Sequence, residues 1–298
     1  MSFKERKYFM RDFILMTDST ADLPVSFYHD NQIKVVPLTY TLNGSTYEQN
    51  NGLSSHEFYE QIRMGHMPIT SQINPQAALD AFKMMSLEGR DILFLSFSSG
   101  LSGTYNSCRM AAEQLKEEGC KNRIVVLDTL CASTGSGLLL YYVAKMSDEG
   151  KSMDEIIEWV ENNKLRFCHV FTVDDLNHLY RGGRVSKTAA TLGTMMKLKP
   201  VMRVNNEGKL EAIGKVHGRK KSIHALFEMM MKKIDLSAFD ETMIMICQGD
   251  CPEEAEGLAD LIRKEIPSAS VLVSEIGPVI GSHTGPGVIG LFFYGDER

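Results

Sequence analysis

Several features are missing from this 298-residue chain, and each absence narrows what it can be. No apolar stretch approaches the roughly 20 residues needed to cross a bilayer; residues 138–143, the longest candidate, have the length of a core helix segment. The six cysteines, at 108, 120, 131, 168, 247 and 251, contain no repeated C-x-x-C and have no matching histidine pair, which argues against a structural zinc site. No H-E-x-x-H and no carboxylate cluster points to a catalytic metal, so no metal is expected. Basic residues are not in excess: 32 Lys and Arg face 38 Asp and Glu, a net charge of −6, which argues against nucleic acid as the partner. Lys4, Arg6 and Lys7 precede an apolar run, residues 13–16, too short for a signal peptide. Residues 1–12 therefore read as a tail, the thiols as reduced, and the location as cytoplasmic.

What remains is an ordinary globular composition, 43% hydrophobic and 23% charged, long enough to bury a real core. At about 150 residues per domain the length predicts two domains. Short apolar runs at 13–16, 91–97 and 123–127 alternate with amphipathic segments at 75–85, 105–118 and 133–146. That alternation predicts a doubly wound, mostly parallel sheet over residues 13–165. Residues 33–42 read as one strand turning at Asn43-Gly44, and Ser54-x-x-Glu57 and Ser152-x-x-Glu155 as capping boxes. After residue 165 the texture changes to a mixed α/β pattern through 298, with a hairpin around Asn205-Asn206-Glu207-Gly208.

Ligands in such sheets bind in crevices at the carboxyl ends of strands. Those ends are rich in hydroxyls here: Thr17-Asp18-Ser19-Thr20, Thr70-Ser71-Gln72, residues 96–104 (SFSSGLSGT) and Asp128-Thr129. N-caps and turns account for most Ser and Thr of this kind, but several such loops aimed at one crevice need a further explanation. The glycines of Ser99-Gly100-Leu101-Ser102-Gly103-Thr104 permit close backbone approach before a helix, an arrangement suited to an anion. The run is neither a Walker A loop nor a nucleophile elbow. Residues 277–287 carry four glycines and two prolines around His283, reading as a rigid loop that presents the imidazole. Hydroxyls and one histidine, without arginine, suit a carboxylate or phosphate held in a dry place. A rival reading makes Ser102 the nucleophile and His283 the base of a hydrolase or acyltransferase, with Asp128 as orienting acid. Residues 181–221 hold eleven Lys or Arg against two acids, a docking surface for an anion or acidic partner if not simply a solvated face.

Taken in order, Thr17 to Pro24 (TDSTADLP), Thr70-Ser71-Gln72, Ser99 to Tyr105 (SGLSGTY), Arg181-Gly182-Gly183-Arg184 and Gly281-x-His283-x-Gly285-Pro286-Gly287 resemble the DegV family of bacterial fatty-acid-binding proteins, which includes the binding subunit of fatty acid kinase. The resemblance runs from about residue 13 to the C-terminus and departs at Ile73, where the family usually has proline. It implies two α/β domains, an N-terminal one over 13–165 and a C-terminal one over 166–298, with a long-chain fatty acid in a tunnel between them. It carries the carboxylate contacts onto Thr70, Ser102 and His283, with Ser71, Ser99, Gly100 and Thr129 as further candidates. It implies a lipid carrier rather than an enzyme, no cofactor beyond the bound acid, and a partner kinase that phosphorylates that acid. Arg181, Arg184, Arg203, Arg219 and Lys220 are then the candidates for docking the kinase or an acyl phosphate. No stable membrane insertion is implied, only room for transient contact.

Overall fold

The computed structural model describes residues 11–186 and 198–298. The first half builds a four-stranded sheet from β1 (Phe13–Asp18), β2 (Lys34–Val36), β6 (Asp91–Ser96) and β7 (Ile124–Asp128). Its order is β2-β1-β6-β7 and every pairing is parallel. Strands β1 and β6 are buried along nearly their whole length, as continuous apolar runs must be when both sheet faces are covered. Helices α3 (Pro75–Ser86) and α4 (Thr104–Glu117) pack against each other and fill one face with Leu79, Phe82 and Ala111. Both predicted capping boxes form, opening α2 (Ser55–Arg63) and α6 (Met153–Asn163).

The stretch 33–42 is not one strand. It splits into β2, in the parallel sheet, and β3 (Thr39–Leu42), in a separate antiparallel sheet of order β4-β3-β5 with β4 (Ser45–Glu48) and β5 (Ile69–Ser71). Pro37, at the break, has no N–H to give a ladder. The next N–H, of Leu38, goes to Ser19 Oγ at 2.9 Å. The predicted turn at Asn43-Gly44 holds: both residues have positive φ and β3 pairs with β4 around them. Strand β5 has too few residues to show a period, and it carries Thr70.

The second half forms a six-stranded mixed sheet of order β10-β9-β8-β13-β11-β12, from β8 (Phe167–Thr172), β9 (Leu198–Val204), β10 (Leu210–His217), β11 (Met243–Gln248), β12 (Ser270–Glu275) and β13 (Ile289–Tyr294). Only β11 and β12 run parallel. Alternate residues serve different layers, as a two-residue period requires. Ile289, Leu291 and Phe293 face α8 (Arg219–Lys233) and α9 (Pro252–Glu265), whereas Phe292 and Tyr294 join the cluster around α5 (Thr134–Asp148). Helix α5, all but solid with Leu138, Leu139, Leu140, Tyr142 and Val143, packs across β8, β11 and β13 and so joins the two halves. Each such side chain contributes about 1.5–3 kcal/mol on burial.

Candidate functional site

A cavity of about 380 Å³ opens between the inner face of the six-stranded sheet and the strand-end loops of the first half. Its wall is mostly apolar, with Leu38, Phe97, Leu101, Phe171, Leu179 and Val279 among its residues. Thr70, Ser71, Ser102 and His283, from three separate stretches of sequence, all line it.

Residues 277–287 are not simply a loop. Pro278–Thr284 forms a short helix, α10, begun by a proline in its first turn and ended at Gly285 with φ of 71°. His283 sits in its last turn, where Nε2 lies 2.8 Å from Thr70 Oγ1. Nδ1 is buried with no partner among the described residues. A lone pair is cheaper to leave unpaired than an N–H, which assigns the proton to Nε2, donated to Thr70. The hydroxyl hydrogen of Thr70 is then available to the cavity. Burial, and next the charge of Arg184, lower the His283 pKa from 6.5 to about 4, so the ring is neutral at pH 7.

Ser102 reaches a similar state by a different route. Thr104 Oγ1 accepts from the Ile73 N–H at 3.4 Å and lies 3.0 Å from Ser102 Oγ, which also accepts from the Thr104 N–H at 3.2 Å. These bonds are all satisfied when Thr104 donates its hydrogen to Ser102, leaving Ser102 its own hydrogen to give a ligand. The position that departs from the family's usual proline thus supplies an N–H that proline could not.

Arg184 is the residue the sequence misplaced. The expected site had no arginine, yet Arg184 lines the cavity and is the one charged residue among the described ones that do. Its Nε donates to Leu101 O at 3.1 Å and Nη1 to Gly182 O at 2.6 Å. No carboxylate among the described residues pairs with it, and burial lowers its pKa, the cost of holding that charge away from water. The glycines of Arg181-Gly182-Gly183-Arg184 carried a readable signal: a Cβ at Gly182 would sit 2.2 Å from His283 Nδ1. A cavity that already offers hydroxyls and a desolvated guanidinium can hold an anion.

The other candidates do not line this cavity. Ser99 is exposed, its N–H donating to Asp128 Oδ1. Gly100 packs on the hairpin backbone at Glu207 and Gly208. Thr129 is buried with its hydroxyl donated to Ser96 O. Arg203 pairs with Glu211, and Arg219 with Glu254 and Asp174. Arg181 contacts His178, and Lys220 is exposed. Lys187 and Lys197 lie outside the described residues. For the hydrolase reading, Ser102 has no bond to His283, and Asp128 Oδ1 is occupied by the N–H groups of Ser99 and Leu130. Among the described residues no group of three His, Cys, Asp or Glu could hold a metal, and no helix is long and apolar enough to cross a membrane.

A family model, described as an uncharacterised protein of the DegV family, matches residues 12–296. A DegV domain-containing protein of Clostridium perfringens is 45% identical over 291 residues, covering 97% of this chain and 99% of the relative. The structure of a fatty-acid-binding DegV family protein from Thermus thermophilus superposes with a TM-score of 0.85 at 31% identity, covering 96% of this chain and all of the other. DegV of Bacillus subtilis, a fatty acid binding protein, gives 0.83 at 27% identity, with 96% and 100% covered. The chain belongs to the DegV family.

Proposed function

We propose that this protein binds one long-chain fatty acid in the cavity and presents its carboxylate to a partner kinase for acyl-phosphate formation. In this reading the two sheets, meeting near residue 165, act as two lobes that close on the chain. The observation that carries the reading is one cavity of about 380 Å³, mostly apolar along its wall, lined by Thr70, Ser102, His283 and an Arg184 that pairs with no carboxylate among the described residues. Burying about 14 methylenes at about 0.8 kcal/mol each yields roughly 11 kcal/mol before binding costs, far more than a head group adds. The tail sets affinity; Thr70 and Ser102 donate to the carboxylate, and Arg184 balances its charge. The solved structures of DegV relatives bound to, or described as binding, fatty acids support the ligand class. A smaller recess of about 300 Å³ adjoins the head-group residues, shares Thr70, Arg184 and His283, and adds Arg181 and His178. Such a basic antechamber suits a phosphoryl group arriving at the carboxylate.

Mass spectrometry of the purified protein, native and then denatured, tests the carrier. A difference equal to one fatty acid is expected, and a protein that carries no lipid and takes up none when delipidated overturns it. Loaded protein given ATP and a fatty acid kinase should yield acyl phosphate, trapped as the hydroxamate; none trapped confines the function to carriage.

A further inference from the structure

The register of the six-stranded sheet gives the cavity a direction. From Val288, just before β13, and along that strand the lining residues alternate as Val288, Gly290 and Phe292, with Phe171 opposite Gly290 and His169 opposite Phe292 on β8. His283 and its helix precede this strand, so Val288 is near the head-group end. Phe292, four residues further, lies about 13 Å beyond it. We propose that Phe292, braced edge-on by His169, is the fixed stop that sets the length of acyl chain the cavity accepts. This inference rests on the reading of the cavity as a fatty-acid site.

The brace is unusually rigid for a histidine. The Ala132 N–H donates to His169 Nε2 at 3.1 Å, which places the ring proton on Nδ1, and that proton goes to Phe167 O at 2.7 Å. Both nitrogens are therefore spent on backbone, and turning the ring would break both bonds. What is left to the cavity is the carbon edge of a neutral ring, a surface that a terminal methyl group can meet without stranding a polar atom. The Phe292 ring stands perpendicular to it, at 89° and 5.2 Å between centroids. Helix α5 closes the space behind: a Cβ at Gly135 would lie 2.1 Å from His169 Nε2 and 2.7 Å from the Phe292 ring. A stop backed by a buried helix cannot yield to a longer chain as a surface side chain would.

The test is a binding series of saturated fatty acids lengthened two carbons at a time, on wild type, Phe292→Leu and Phe292→Met. The wild type should show an optimum, with affinity falling beyond it. In either variant the optimum should move to a longer acid, and the acid two carbons past the wild-type optimum should bind about tenfold tighter. His169→Gln, which removes the brace, should broaden the same profile. An unmoved optimum in a Phe292 variant whose thermal melt shows it folded overturns the stop alone. A wild type that binds no fatty acid of any length overturns the fatty-acid reading and the stop with it. The methionine variant keeps the test decisive should the leucine variant not fold.

Discussion

Two polar clusters lie in this molecule, one buried around Asp22 and one half-buried at the cavity, and they are put to opposite uses. In the first, Asp22 accepts from Ser133 Oγ at 2.6 Å and from Gln49 Nε2 and the Gly277 N–H at 3.1 Å each, while Ser274 donates to its carbonyl. Asp18 nearby accepts the N–H groups of Thr20 and Phe97. That knot ties the loop after β1 to α5 and to the segment between β12 and α10, and its bonds all point inward. In the second, around Thr70, Ser102, His283 and Arg184, a histidine nitrogen has no partner and a guanidinium no carboxylate among the described residues. Spent hydrogen-bonding capacity marks a structural joint, and unspent capacity in a dry cavity marks a place prepared for a ligand.

The knot should break the protein first. Asp22→Ala leaves the Gly277 N–H and Ser133 Oγ without their carboxylate acceptor and takes one of two acceptors from Gln49 Nε2, which keeps Ser19 O, at about 1–3 kcal/mol for each buried group. A loss of roughly 3–5 kcal/mol in urea unfolding is expected. A loss below about 1 kcal/mol would show that the knot is decoration and the comparison mistaken.

The head-group end should respond the other way, in affinity before stability. Arg184→Gln removes the cavity's one described charge and should weaken fatty-acid binding by roughly 2–3 kcal/mol, about fiftyfold, as measured by titration calorimetry. Ser102→Ala removes a single donor and should cost about tenfold. Neither should lower the unfolding free energy by more than about 1 kcal/mol. If these variants unfold as readily as Asp22→Ala, both clusters are structural joints.

The difference between the clusters was not readable in the sequence, although much of the fold was. The runs at β1 and β6, the Asn43-Gly44 turn and both capping boxes are local, since the residues that make them lie within a few positions of each other. Thr17-Asp18-Ser19-Thr20 and Thr70-Ser71-Gln72, by contrast, are equally rich in hydroxyls at strand ends. What separates them is how far distant chain segments use up their polar atoms: Phe97 and Leu95 meet Asp18 and Thr17, whereas among the described residues the Thr70 hydroxyl meets only His283 and keeps its hydrogen for the cavity. The same holds for basic residues 181–221. Arg203 and Arg219 found carboxylates on β10 and α9, and Arg184 found none among the described residues. Partners far apart in sequence decide the role, and spacing along the chain does not record them.

The smallest effect is the most discriminating, because the two clusters titrate with opposite signs. Burial raises the Asp22 pKa from 3.8 to about 7, the three donors only partly offsetting it. Its contribution is fully present below pH 3.8 and is lost as pH rises through about 7, because the folded state holds the proton more tightly than the unfolded one. His283 runs the other way: with its pKa lowered from 6.5 to about 4, its contribution is present above pH 6.5 and is lost as pH falls through about 4. Measured against wild type by urea unfolding, Asp22→Asn should therefore gain stability as pH rises between about 4 and 7, and His283→Gln should gain as pH falls across the same range. His169, also held neutral by burial, stays in both variants and cancels from each difference, whereas Asp18, whose charge is one cause of the raised Asp22 pKa, cancels only from the His283 difference. Two differences with the same slope would mean that the mouth and the knot carry their protons alike, leaving the ligand end no electrostatic character of its own.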